Sequence, residues 1–91
     1  MDSALERLRV DIFGTEYMLR GQASIDHLRA VAVLVDGVMK QVASANPHME
    51  QKKIAVLAAV NIADELYRLQ VAHRDLLAML DDTAKSEPSR G

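Results

Sequence analysis

The sequence predicts an α+β, mostly helical domain: an N-terminal β-hairpin, one shorter helix and one long C-terminal coiled-coil helix. Three observations predict it. Apolar and polar residues alternate from Leu8 to Arg20 on either side of a Gly, apolar residues then recur every three or four positions from Leu28 to Val42, and from Met49 neither Gly nor Pro interrupts the chain until Pro88. Composition agrees: apolar residues are 49% of the 91 but aromatics only 3%, which leaves Leu, Val, Ile, Ala and Met to build a core of helix on helix.

In the first segment Leu8, Val10 and Ile12 alternate with Arg9 and Asp11, the period of a half-buried strand. After Gly14-Thr15 the alternation resumes through Glu16-Tyr17-Met18-Leu19-Arg20 and closes at Gly21. A two-residue loop with Gly first suits a type II′ turn. That turn sets Phe13 against Glu16, Ile12 against Tyr17 and Val10 against Leu19, with Leu8, Val10, Ile12, Tyr17 and Leu19 on one face. A lone hairpin is marginal in water, so this face must dock on something.

The first helix is expected to start behind Ser24 as N-cap, with Asp26 in its first turn, and to present Leu28, Val31, Ala32, Val35, Val38, Met39 and Val42 on one side. Asn46-Pro47 ends it. The second helix begins near Met49-Glu50 and can run about 34 residues, roughly 50 Å. That exceeds what so small a domain can cover.

Within this helix Ala55, Ala59, Ile62, Leu66, Leu69, His73, Leu76 and Leu80 are spaced alternately four and three apart, an a/d seam over almost four heptads. With Leu66 at a, the flanking e and g positions include Ala58, Ala63, Ala72, Leu77 and Met79, and only Glu65 and Gln70 there are polar. So wide a stripe suits more than two packed helices. The plainer alternative, an internal core, requires a first helix longer than the one available. The expected oligomer interface is Ala59, Ile62, Leu66, Leu69, His73, Leu76 and Leu80, with His73 either a tolerated polar residue or a determinant of oligomer state. Ile54 to Ala63, apolar nearly all round, should be enclosed by the hairpin and the first helix, and Asn61 within it should bond to head backbone. The organisation expected is a head over 1–63, a projecting coiled-coil segment over 64–83 and a disordered tail over 84–91.

Several function classes are disfavoured. The chain has no Cys, which removes disulfides, thiolate zinc sites and cysteine nucleophiles. A net charge of −2 is too balanced for a phosphate-neutralising nucleic-acid binder or a polybasic membrane anchor. The longest apolar run, Ile54 to Val60, is far below a membrane-spanning length, and the N-terminus lacks a basic leader followed by an apolar run. A soluble, cytoplasmic protein is expected. His27, His48 and His73 lack metal-ligand spacing, no Ser has a nucleophile-elbow context and the glycines are too scattered for a phosphate loop. Neither catalytic residues, metal nor cofactor is expected.

The hairpin run Val10-Asp11-Ile12-Phe13-Gly14-Thr15-Glu16-Tyr17 and the helical run from Ile54 through Asn61-Ile62-Ala63-Asp64-Glu65 to Leu66 resemble the bacterial cell division protein ZapA family, with similarity over about residues 8 to 82. The resemblance implies a hairpin-and-helix head, dimers joined through the long helix and tetramers formed by antiparallel packing of two dimers. It also implies a non-enzymatic role in septation: binding the tubulin-like division GTPase FtsZ and bundling its filaments in the Z-ring at midcell. Where some relatives carry basic residues in the hairpin turn, this chain has Thr15 and Met18, so those roles do not carry over. The expected filament-binding surface is therefore drawn coarsely around Thr15, Glu16, Arg20, Lys52 and Lys53. The rival reading is a generic coiled-coil adaptor or holdase with an unrelated client.

Overall fold

The computed structural model describes residues 5–86. Strand β1 (Glu6–Ile12) pairs antiparallel with β2 (Thr15–Gly21), helix α1 (Ile25–Ala45) follows, and helix α2 (Gln51–Ser86) completes the chain. α2 is 36 residues long and reaches past the boundary expected at 83. Of the tail expected to be disordered, residues 87–91 lie outside the described residues.

The hairpin differs from the sequence expectation at its turn. The two turn residues are Phe13 and Gly14, both with positive φ (51° and 80°), as a type I′ turn requires. Ile12 therefore pairs with Thr15, Val10 with Tyr17 and Leu8 with Leu19. Every partner moves by two positions from the expected pairing, and because strand side chains alternate with period two, the expected apolar face is preserved. Leu8, Val10, Ile12 and Leu19 are half-buried, while Tyr17 on the same face stays exposed.

An L-residue in the left-handed region costs about 1–2 kcal/mol, and Phe13 has two compensations. Its side chain packs against a buried cluster of Met39, Val42, Ile54 and Ala58. Its backbone N–H donates to Asp36 Oδ1 at 2.7 Å. The other carboxylate oxygen, Asp36 Oδ2, sits 2.9 Å from Lys40 Nζ one helical turn on. One acid in α1 thus fixes the hairpin turn to the helix.

α1 begins as expected, with the Ser24 hydroxyl accepting from the His27 amide at 3.1 Å. It ends at Asn46, whose N–H bonds Ala43 O and whose side-chain amide bonds Val42 O at 2.9 Å. Leu28, Ala32, Met39 and Val42 are its buried residues. Gly21 lies so close to Leu28 that an added Cβ would stand 3.3 Å from Leu28 Cδ2.

The start of α2 is less enclosed than expected. Ile54 and Ala58 are buried and Ile62 half-buried, but Val56, Leu57 and Val60 are exposed. The reason is geometric: α1 covers one stripe of α2, and the hairpin packs mainly on α1 through β1 rather than on α2. Asn61 also departs from expectation. It is exposed and makes no hydrogen bond to head backbone among the described residues; it stands on the flank of α2 that carries Ile54 and Ala58, in an open groove beside Val38 and Gln41 of α1.

The Phe13 amide, ahead of the Lys40 ammonium, holds the Asp36 carboxyl below the ordinary carboxylate range. The folded chain therefore keeps this group ionised to lower pH than the unfolded chain does. Its stabilisation is complete above the unfolded value of about 3.9 and is lost as pH falls through the lowered folded value. Asp36→Ala should lower the midpoint of thermal unfolding at neutral pH, and the gap to wild type should shrink as the pH is taken below about 4. A gap that stays constant across the titration would show that the carboxylate charge is not what holds the turn.

Candidate functional site

The chemistry available here is that of surfaces. His27 lies in the first turn of α1, His48 at the corner between the helices and His73 midway along the bare part of α2. Among the described residues no three His, Asp or Glu side chains converge on a point that could hold a metal ion. No described helix is long and apolar enough to cross a membrane.

The apolar surface left unpartnered is concentrated on α2. Leu66, Leu69, Leu76 and Leu80 are 55%, 59%, 53% and 57% exposed, and Ala59 and His73 are exposed with them. Of the seven expected interface positions only Ile62 is partly covered by the described residues of the chain. The heptad assignment explains this division. The buried Ile54 and Ala58 fall at c and g, so α1 packs on a flank of α2 and leaves the a/d seam open. Each half-covered leucine leaves roughly 1 kcal/mol of possible burial unrealised.

α1 adds to this surface in a way that the sequence pattern did not reveal. Leu34, Val38 and Gln41 form one wall of a groove of about 480 Å³, and Asn61, Ile62, Glu65, Leu66 and Leu69 form the other. A helix laid along the seam would therefore touch α1 as well. The one signal the sequence held was Leu34, an apolar residue outside the stripe expected to face the core; the structure leaves it 60% exposed. Val56, Val60 and Tyr67 line another side of α2 and are also exposed.

The five head residues singled out from the sequence do not form one patch. Thr15 and Glu16 open β2 beside the turn, while Arg20 lies near its other end, roughly 17 Å from Thr15 at strand rise. Thr15 shares the core-facing side of the sheet with Ile12; Glu16 and Arg20 point from the outer side, opposite Asp11 and Arg7. Glu16 has a cross-strand neighbour in Arg9, 3.9 Å away. Lys52 and Lys53 both line a groove with Met49, Val56 and Leu57; Lys52 also borders a groove beneath Tyr17 and Leu19, and Lys53 the corner formed by Asn46, Pro47 and His48.

The exposed seam makes two measurable demands. The midpoint of thermal unfolding should rise with protein concentration, since the folded chain gains stability from a partner. Leu69→Glu should cost several kcal/mol of assembly by placing an unpartnered charge in the seam. Sedimentation equilibrium reads this as loss of oligomer mass, and an unchanged mass would refute the heptad assignment.

A family model described as cell division protein ZapA matches residues 8–87. Cell division protein ZapA of Geobacillus sp. (strain WCH70) is 38% identical over 74 residues, covering 81% of this chain and 85% of that protein. The protein of the same name from Bacillus thuringiensis (strain Al Hakam) is 36% identical over 70 residues, covering 77% of this chain and 79% of its own. Among solved structures, a ZapA mutant dimer from Geobacillus stearothermophilus superposes with a TM-score of 0.70 at 34% identity, covering 88% of this chain and 93% of that one. With the family model matched over residues 8–87 and relatives of that name 36–38% identical over most of the chain, the chain belongs to the ZapA family of cell division proteins.

Proposed function

We propose that this chain is a non-enzymatic accessory of cytokinesis that binds FtsZ filaments and cross-links them in the Z-ring at midcell. The observation that carries the reading is the leucine seam of α2, exposed over its projecting half in a member of a cell division family. On this reading the head over 1–63 binds filament, and residues 64–83 join copies into dimers and then tetramers through Ala59, Ile62, Leu66, Leu69, His73, Leu76 and Leu80. Thr15, Glu16, Arg20, Lys52 and Lys53 mark the head surfaces offered to the filament. Since they face in several directions, filament contact uses some of them rather than all at once. No nucleic acid, membrane insertion or cofactor enters the mechanism.

The physical logic is valency. A head that binds one filament weakly becomes a cross-linker when a symmetric oligomer carries several heads on a rigid rod. At 1.5 Å per residue, α2 supplies roughly 54 Å of rod for its 36 residues.

Co-sedimentation with polymerised FtsZ tests the reading directly. The chain should pellet with filaments and convert them to bundles visible by electron microscopy; a generic adaptor with another client stays in the supernatant. A variant truncated after Leu66 retains most of the head and loses most of the seam, so it should bind single filaments weakly and form no bundles. Normal bundling by a truncation verified as monomeric would refute the valency argument.

A further inference from the structure

The hairpin ends in a bare edge. Among the described residues β2 pairs only with β1, and α1 packs against β1, so the far side of β2 meets no other described strand. A two-residue turn makes Ile12 and Thr15 the closing hydrogen-bonded pair. By alternation Tyr17 and Leu19 also direct their backbone groups at β1, whereas Glu16, Met18 and Arg20 direct theirs outward. The edge runs from Thr15 to Gly21 without proline or lysine, devices that commonly protect such edges.

We propose that this edge pairs with β2 of a second copy, antiparallel and centred on Met18, to make a four-stranded sheet across two heads. The strand is self-complementary about that centre. In this register Glu16 lies opposite the partner's Arg20, Arg20 opposite the partner's Glu16, and Met18 opposite its own copy. These three residues are the ones whose backbone groups point outward, so the ladder and the charges are satisfied in the same register. Arg20 has no ion-pair partner within the described chain, while Glu16 has only the long contact to Arg9. On the other face Tyr17 meets the partner's Leu19. That pair lies over the groove of about 450 Å³ that Tyr17, Leu19, Lys52 and Ala55 help to line. A symmetric contact of this kind requires one surface to fit itself, which the Glu-x-Met-x-Arg pattern does. A two-stranded sheet, marginal alone, gains a second ribbon.

The test uses the purified full chain without filaments, so it stands or falls independently of the FtsZ reading. The chain has no Cys, so Met18→Cys introduces a single thiol. Directly opposed residues of a hydrogen-bonded pair have Cα atoms about 5.5 Å apart, within disulfide range. Mild oxidation should give a covalent dimer for Met18→Cys and only background for Arg9→Cys, which places its thiol on the same outer face but on β1. In the Met18→Cys background, Glu16→Arg and Arg20→Glu should each cut cross-linking about fivefold to tenfold by turning two cross-strand attractions into repulsions. Combining them should restore it. Three outcomes would each overturn the proposal: Met18→Cys failing to cross-link, Arg9→Cys cross-linking equally, or the combined variant staying as weak as the single ones. A chain that does not self-cross-link but binds an alternating Val-Asp peptide along β2 would assign the edge to a foreign strand and overturn it too.

Discussion

The structure depends on a mismatch between two helices. α2 is 36 residues long and α1 is 21, and α1 lies along one flank of the longer helix near its start. The four seam leucines Leu66, Leu69, Leu76 and Leu80 remain more than half exposed as a consequence. A small chain buries a modest fraction of its surface in any case, and here the deficit is gathered into a line with heptad spacing. That geometry asks for another helix alongside. Self-association would cover that line, and the similar solved structure is a dimer.

The head meets a different constraint, because a hairpin of two seven-residue strands cannot hold itself. Its attachment is concentrated at the turn, where the Phe13 ring enters the cluster between α1 and α2 and the Phe13 amide reaches Asp36. The strained backbone at Phe13 and the ionised carboxylate are two sides of one arrangement. The turn that needs a left-handed residue also aims that residue's N–H at the helix. β2 is consequently held from one end and along one edge only, which leaves its outer edge available to another chain.

Much of this was legible in the sequence, and the misreadings have definite causes. Helix starts and stops were readable because Ser24 and Asn46-Pro47 act through local chemistry that does not depend on the rest of the fold. The seam was readable because heptad spacing is unbroken from Ala55 to Leu80. The turn was misplaced by one residue because Gly is the usual occupant of a positive-φ position and Phe is a rare one. Only the tertiary contacts with Asp36 and the core make Phe13 tenable there. The bare Val56, Leu57 and Val60 were misjudged because apolar composition does not say which flank α1 will take; Asn61 was misjudged because the groove between the helices stays open where it lies. The head residues proposed for filament contact were chosen by charge and by position in the hairpin, and neither carries information about direction: Thr15 shares the core-facing side of the sheet with Ile12, while Glu16 and Arg20 point from the outer side.

That the long helix is completed only by another chain is tested most directly by amide hydrogen exchange over a series of protein concentrations spanning dissociation. Exchange reports local opening, so it separates the projecting half of α2 from the head. Protection of the amides from Leu66 to Leu80 should rise steeply as concentration increases, with a smaller rise around Met39, Val42 and Ile54, where the chain supplies its own core. Protection of the projecting half that is already maximal in dilute monomer, and indifferent to concentration, would contradict the requirement for a second chain.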